Sequence, residues 1–294
     1  CTRLSMLDPD GIGLEMLGNR PGWNDALNGL PSLLGSSFCE TVALYNLIAF
    51  FARHVARHAA PTEIAVELRD LLRALDGALK QQLATATPDP RLFWEAANAA
   101  RDAYCAQTLL GFSGEKVALG PEELRSFLGD ASRYLAQAIA RARKDNGLYH
   151  TYFFYEVTEY EFVRDEAGNQ IHQDGLPLVR PLAFRRHHLP HFLEGQIHAL
   201  GVVEPSEARR LYEAVRASDL YDTGLGLYKI NASLAGELPA IGRVTRFLPG
   251  WLENESIWIH LNYKYLLALL RAGLYEEFFT EMRQVLVAFH PPER

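Results

Sequence analysis

Two short segments of this chain bring together residue types suited to handling a sugar. Gly22-Trp23-Asn24-Asp25-Ala26-Leu27-Asn28 places an acid beside an indole and an amide, in a loop opened by Arg20-Pro21. More than two hundred residues later, Glu253-Asn254-Glu255-Ser256-Ile257-Trp258-Ile259-His260 sets carboxylates, an amide, a Trp and a His ahead of an apolar run. An aromatic ring can stack on a pyranose, and amides and carboxylates can take its hydroxyls. One carboxyl, kept protonated, can deliver a proton to a departing glycosidic oxygen. The same residues have ordinary structural uses. Asp25 could close the loop as an N-cap or Asx-turn acid. Glu253 and Asn254 could cap the following helix, His260 could be a core residue, and Glu40 could be a first-turn acid favoured by the helix dipole.

The elements that must position these residues read mainly as helices. Glu40–Ala56 carries Val42, Tyr45, Leu47, Ile48 and Phe51 and is apolar nearly all round, which predicts an inner, buried helix. Ile64–Leu83, with Leu68, Leu71, Leu72, Leu75 and Leu79 at helical spacing, predicts a second helix. Pro90–Leu110, Pro121–Lys144, Pro205–Ser218, Ile259–Ala272 and Tyr275–Phe289 predict five more, three of them with Pro at the first turn. Tyr149–Val163 breaks the pattern. It is rich in aromatic and β-branched residues and precedes the turn-like Asp165-Glu166-Ala167-Gly168-Asn169, which predicts a β-hairpin with Gln170-Ile171-His172 as its return. The expectation is a mainly α chain, one domain over 1–294, with a small antiparallel insertion at 149–185.

Composition narrows the class. With 48% apolar and 22% charged residues, the chain is ordinary for a globular protein, and a net charge of −7 argues against nucleic-acid or anionic-membrane partners. The apolar run near Ala43–Phe51 is too short to span a bilayer. No secretory signal is visible, and Cys1, Cys39 and Cys105 lack metal spacing and cannot all pair; they read as reduced and mostly buried, which predicts a cytoplasmic protein. Asn231-Ala-Ser and Asn254-Glu-Ser match glycosylation sequons by chance on this reading. The start at Cys1, and the stop at Pro291-Pro292-Glu293-Arg294 just after a helical pattern, predict a piece of a longer protein.

The two segments resemble the catalytic region of the cellobiose phosphorylase-like family, glycoside hydrolase family 94. Gly22-Trp23-Asn24-Asp25-Ala26-Leu27-Asn28 is similar to its Gly-Asp-Trp-Asn-Asp-Gly-Met-Asn element. Leu248-Pro249-Gly250-Trp251-Leu252-Glu253-Asn254-Glu255-Ser256-Ile257-Trp258-Ile259-His260 is similar, without a gap, to Pro-Pro-Gly-x-Lys-Glu-Asn-Gly-Gly-Ile-Phe-x-His. Glu40-Thr41-Val42-Ala43-Leu44 and Asp222-Thr223-Gly224-Leu225-Gly226 match family segments loosely. The resemblance covers roughly residues 18–50 and 220–290. Gly22 stands for the family's first Asp, Ala26-Leu27 for Gly-Met, Leu252 for a Lys, and Glu255-Ser256 for Gly-Gly. These departures put cellobiose itself in doubt as the substrate.

The resemblance implies an (α/α)6-barrel and inverting phosphorolysis of a disaccharide or oligosaccharide. Inorganic phosphate is the co-substrate, no cofactor or metal is used, and the protein is a possible homodimer. It implies Asp25 as the general acid, its pKa raised by burial against Trp23 or by a neighbouring carboxylate. Trp23 and Asn24 would shape the sugar subsite, Glu253, Asn254 and Glu255 would meet the sugar, and His260 would hold phosphate as neutral imidazole or imidazolium. The family's donor-site aspartates would precede Cys1, and its glycine-rich phosphate loop would follow Arg294.

Two other functions are compatible with the residues. An inverting hydrolase on the same barrel needs a base roughly 6.5–9.5 Å from the acid, and Glu255 is the candidate. A silent carbohydrate-binding domain needs neither. Other clusters are weaker. His187, His188, His191 and His198 suggest zinc, but Pro190 interrupts them and no acidic or Cys partner completes the set. Gly224-x-Gly226 lacks the rest of a dinucleotide fingerprint.

Overall fold

The computed structural model describes residues 1–18, 20, 22–57 and 60–290. Pro21 of the first motif and the terminal Pro291–Arg294 lie outside the described residues. In chain order the elements are β1 (Leu14–Glu15), β2 (Ser36–Ser37), α1 (Phe38–Ala56), β3 (Thr62–Ala65), α2 (Val66–Ala84), α3 (Pro90–Thr108), β4 (Lys116–Leu119) and α4 (Pro121–Arg141). There follow β5 (Tyr152–Phe162), β6 (His172–Gln173), β7 (Leu176–Pro177), β8 (Val179–His188), α5 (Leu193–Leu200), α6 (Pro205–Arg216), β9 (Tyr221–Asp222), β10 (Leu227–Tyr228), α7 (Ile259–Arg271) and α8 (Tyr275–Val285). The chain is thus mainly helical with small antiparallel sheets.

Helices pack in a continuous file: α3 on α2, α2 on α4, α4 on α1, α1 on α5, α5 on α7, and α7 on α8. Start signals set the ends. Pro90 follows Asp89, whose carboxylate accepts the Arg91 amide at 3.0 Å, and Pro121 and Pro205 likewise occupy first turns. In α6 the buried Ala208, Leu211 and Val215 recur at helical spacing and join the main core with Phe38, Val42, Phe153, Leu193 and Tyr265. A second core unites α1 to α4 around Leu75, Leu79, Phe93 and Leu135.

Several expectations are corrected by packing. Ile64 belongs to β3, paired with β4, so α2 starts at Val66. Helix α1 is not buried all round: Leu47, Phe50 and Phe51 are exposed, because only one side meets α4 and α5. Of the cysteines, Cys39 is buried, Cys1 is half-buried and Cys105 is exposed; all are free. The hairpin forms, but its return strand is β8, not Gln170-Ile171-His172. The 165–169 turn closes only an Arg164–Gln170 bridge, and a second turn at Asp174-Gly175, both with positive φ, sends β8 back along β5. Strand order is β1-β2-β5-β8. Among the described residues no helix is long and apolar enough to cross a membrane.

The foot of the hairpin carries stacked imidazoles, His150 on His188 at 3.5 Å. Burial first, then the neighbouring His188, Lys144, Arg186 and His191, lowers His150 to about 3; burial and Arg186 lower His188 to about 4. Both rings are therefore folded as neutral groups, whereas the unfolded chain takes up protons near 6.5. Their contribution to stability is complete above that pH and is lost as pH falls toward the folded values. Thermal melts between pH 7 and 4 should show this decline, and His150→Phe, which keeps a ring on His188, should make it shallower by removing the His150 share. An equally steep decline in the variant would assign the acid sensitivity elsewhere.

Candidate functional site

The two motif segments meet. Residues 25–27 form a 3-10 turn that packs on the turn at 243–246, residues 30–33 form another that packs on 239–241, and Ala26, Leu27, Leu30, Ile241 and Val244 share a small core with Tyr152, Phe154 and Phe192. The junction is tight. The Asn28 carboxamide accepts the Arg243 amide at 3.0 Å, and the Gly29 amide donates to Ile241 O at 3.1 Å. Gly242, at φ +137°, leaves no room for a side chain: a Cβ there would lie 2.4 Å from Ala26 O. Gly242→Ala should therefore lower stability by about 1–3 kcal/mol in thermal unfolding, from backbone strain with the clash added. An unchanged melting temperature would refute the clamp.

Three buried amides fix the remaining parts by imitating a strand partner. Gln196 accepts the Tyr149 amide at 2.9 Å and donates to Tyr149 O at 2.8 Å, which sets α5 against the hairpin. Asn262 makes the same pair of bonds with Tyr228, both at 2.9 Å, which sets α7. Asn231 donates to Glu253 O at 2.6 Å and accepts the Glu255 amide at 2.7 Å, which sets the second motif. Asn231 and Asn254 are buried, so neither sequon is presented to solvent.

On this frame Trp23 stands 6.0 Å from Trp258 and 5.9 Å from His260, both edge-to-face, and the Lys264 ammonium lies 5.8 Å above its ring. Trp23 remains 41% exposed. It lines a cavity of about 230 Å³ whose wall includes Glu15, Arg20, Ser37, Cys39, Glu40, Tyr152 and Glu194. The Trp23 indole N–H donates to Glu194, and the Tyr152 hydroxyl donates to the other Glu194 oxygen at 2.5 Å. Glu194 is only 8% exposed; burial raises its pKa, partly offset by the two bonds and by Lys264. Tyr152 is pushed well up by burial and by Glu194, so its proton stays in place. His260 is lowered by the part of its ring that is packed and by Lys264, which makes it a neutral imidazole near pH 7.

The other expected site residues lie differently. Asn24 is buried at the edge of the loop, and both polar atoms of its amide lack a protein partner. The Asp25 side chain is 57% exposed and paired with Arg243 at 2.7 Å, so the expected burial against Trp23 is not found. Glu253 and Asn254 are buried in a turn in which the Gly250 amide donates to Asn254 O at 2.8 Å and the Asn254 carboxamide donates to Phe247 O. Glu255, at φ +55°, faces Lys229 at 3.5 Å. None of these three lines the Trp23 cavity.

Glu194 and Lys264 are the residues that sequence reading missed. The only local signal for Lys264 is its place four residues after His260, one turn along the same face. Helix α5, which carries Glu194, spans eight residues directly after the Pro190 region, too short to show a period. The histidines do not converge: His187 bonds Glu156 at 2.9 Å and His191 bonds Lys144 at 3.1 Å. Among the described residues, Cys39, Glu194 and His198 form a group whose donor atoms lie within 4.8 Å of one another. Both Glu194 oxygens already accept hydrogen bonds, and burial pushes the Cys39 thiol well up, so the donor set does not suit a cation. No protein-family model matches the chain, and no curated protein matches it.

Proposed function

We propose that the chain belongs to a carbohydrate-active enzyme of the cellobiose phosphorylase-like kind, an inverting glycoside phosphorylase acting on a β-linked sugar. The observation that carries this reading is the meeting of Trp23 with Trp258, His260 and Lys264, beside a cavity that Trp23 lines together with the buried Glu194 carboxyl. An exposed indole with its N–H fixed offers a flat apolar face to a pyranose. Lys264 supplies positive charge beside that face, and neutral His260 supplies a hydrogen-bond donor, a pair suited to inorganic phosphate.

In this reading, phosphate attacks the anomeric carbon from one face while a carboxylic acid protonates the departing oxygen on the other. The products are a sugar 1-phosphate and a free sugar. Asp25, which is exposed and does not line the cavity, is the acid that the motif resemblance assigns. Its bond to Arg243 would open on substrate binding, as catalytic hydrogen bonds often rearrange between free and bound enzyme. The helical file α2–α4–α1–α5–α7 is taken as part of an (α/α)6-barrel. A second reading is favoured by one observation, the raised pKa of Glu194 inside the cavity: there, Glu194 itself would be the proton donor. The hydrolase alternative gains no support, because Glu255 is turned to Lys229 and lies outside the cavity.

The deciding experiment incubates the full-length protein with β-linked disaccharides, with and without inorganic phosphate, and follows sugar phosphate by mass. Sugar 1-phosphate formed only with phosphate is the expected result. Sugar release indifferent to phosphate would replace it with the hydrolase.

A further inference from the structure

The Trp23 cavity shares one lining residue with a second opening. Glu15 lines it and also lines a larger groove of about 830 Å³ between α3 and the β5–β8 hairpin. At about 230 Å³ the first cavity is smaller than the roughly 300–1,000 Å³ of typical ligand sites, whereas the groove lies within that range. A second fixed indole stands in the groove. The Trp94 N–H donates to Glu15 at 2.7 Å, and Phe184 meets the ring edge-to-face at 5.3 Å. Each opening thus holds a half-open Trp whose N–H is anchored on a carboxyl, Trp23 on Glu194 and Trp94 on Glu15.

The charges of the groove point to the class of ligand. Arg91 pairs with Glu95 at 3.1 Å, Arg101 with Glu15 at 3.5 Å and with Ser5 O at 2.9 Å, and Arg180 with Glu161. The three arginines that line the groove are thus paired, and the exposed Asp102 is the lining charge outside these pairs, so among the described residues the groove offers planar donors and acceptors and no free cation for an anionic ligand. Such a surface suits hydroxyls better than phosphates or carboxylates. Aromatic faces separated by paired polar groups suit a chain of sugar rings.

We propose that the Trp23 cavity and the Trp94 groove are one continuous carbohydrate cleft, joined at Glu15, and that its ligand is a neutral linear oligosaccharide longer than a disaccharide. This rests on the reading of the Trp23 cavity as a sugar site. In the cleft the reacting end lies at Trp23, and the rest of the chain runs past Glu15 onto Trp94.

The test is calorimetric titration of the full-length protein with β-linked gluco-oligosaccharides of two and of five units. The pentasaccharide should bind roughly tenfold tighter than the disaccharide. Trp94→Ala removes the second platform, and Ala99→Trp fills the groove from an exposed position on α3 without removing a core contact. Each should bring the ratio of the two affinities close to one, with circular dichroism showing the helices intact. Equal affinities in the wild type, or a ratio unchanged in both folded variants, would overturn the proposal while leaving the Trp23 site standing. If the wild type binds neither sugar, the sugar site itself falls and the extended cleft with it.

Discussion

Asp25→Asn is expected to reduce phosphorolysis by roughly 10²–10⁴-fold, the usual contribution of a positioned general acid, with substrate affinity little changed. Asparagine keeps the size and the hydrogen-bonding reach of the side chain but has no acidic proton for the departing oxygen. Stability should hardly move. The pair with Arg243 is exposed on both sides, and such pairs contribute about 0–1 kcal/mol. The cause can be isolated with a glycosyl fluoride, whose leaving group needs no protonation. The variant should recover most of its rate on that substrate, because only the proton transfer is missing. Undiminished phosphorolysis would remove Asp25 from the mechanism.

Glu194→Gln separates the two readings of the buried carboxyl. If Glu194 positions Trp23, the substitution turns an acceptor-only group into one that must aim an amide N–H at the Trp23 N–H or the Tyr152 hydroxyl. A buried donor left without an acceptor costs about 1–3 kcal/mol. The indole would lose its anchor, and KM should rise roughly tenfold while kcat falls much less. If Glu194 is the proton donor, kcat collapses by roughly 10²–10⁴-fold and Asp25→Asn is mild. The two variants measured together therefore assign the acid.

A pH signature accompanies the Glu194 variant. Burial raises the folded pKa of Glu194 above its ordinary 4.5, so the carboxyl holds its proton more tightly in the folded than in the unfolded chain. The stability from that tighter proton binding is fully present below 4.5 and is lost as pH rises through the folded value. Glu194→Gln should erase this part of the stability profile. The acid-side decline from His150 and His188 has the opposite sign and should remain.

Local patterns gave most of the secondary structure. Helix periodicity is a property of residues three and four apart, so Pro121–Arg141 and Pro205–Arg216 could be read directly from their apolar spacing. The hairpin was visible in its aromatic strand, and its return was misplaced because β8 (Val179–His188) alternates weakly and is chosen by pairing with β5. Helix α2 starts at Val66 because β4, more than fifty residues on, claims β3 by hydrogen bonding.

The chemistry divides in the same way. The sequence by itself determined that an indole, an amide and an acid stand together at Trp23–Asp25, and an indole and an imidazole at Trp258–His260, because residue types and short spacings are local. Tertiary structure alone decided that they meet, that Glu253 and Asn254 serve a turn, and that Glu194 rather than Asp25 is the buried carboxyl beside Trp23. The Trp23–Glu194 bond spans 171 positions, and Trp94–Glu15 spans 79. Burial, and with it the proton affinity of a carboxyl, is set by whatever the fold packs around it. That environment is assembled from distant segments, and no short window of the chain contains it.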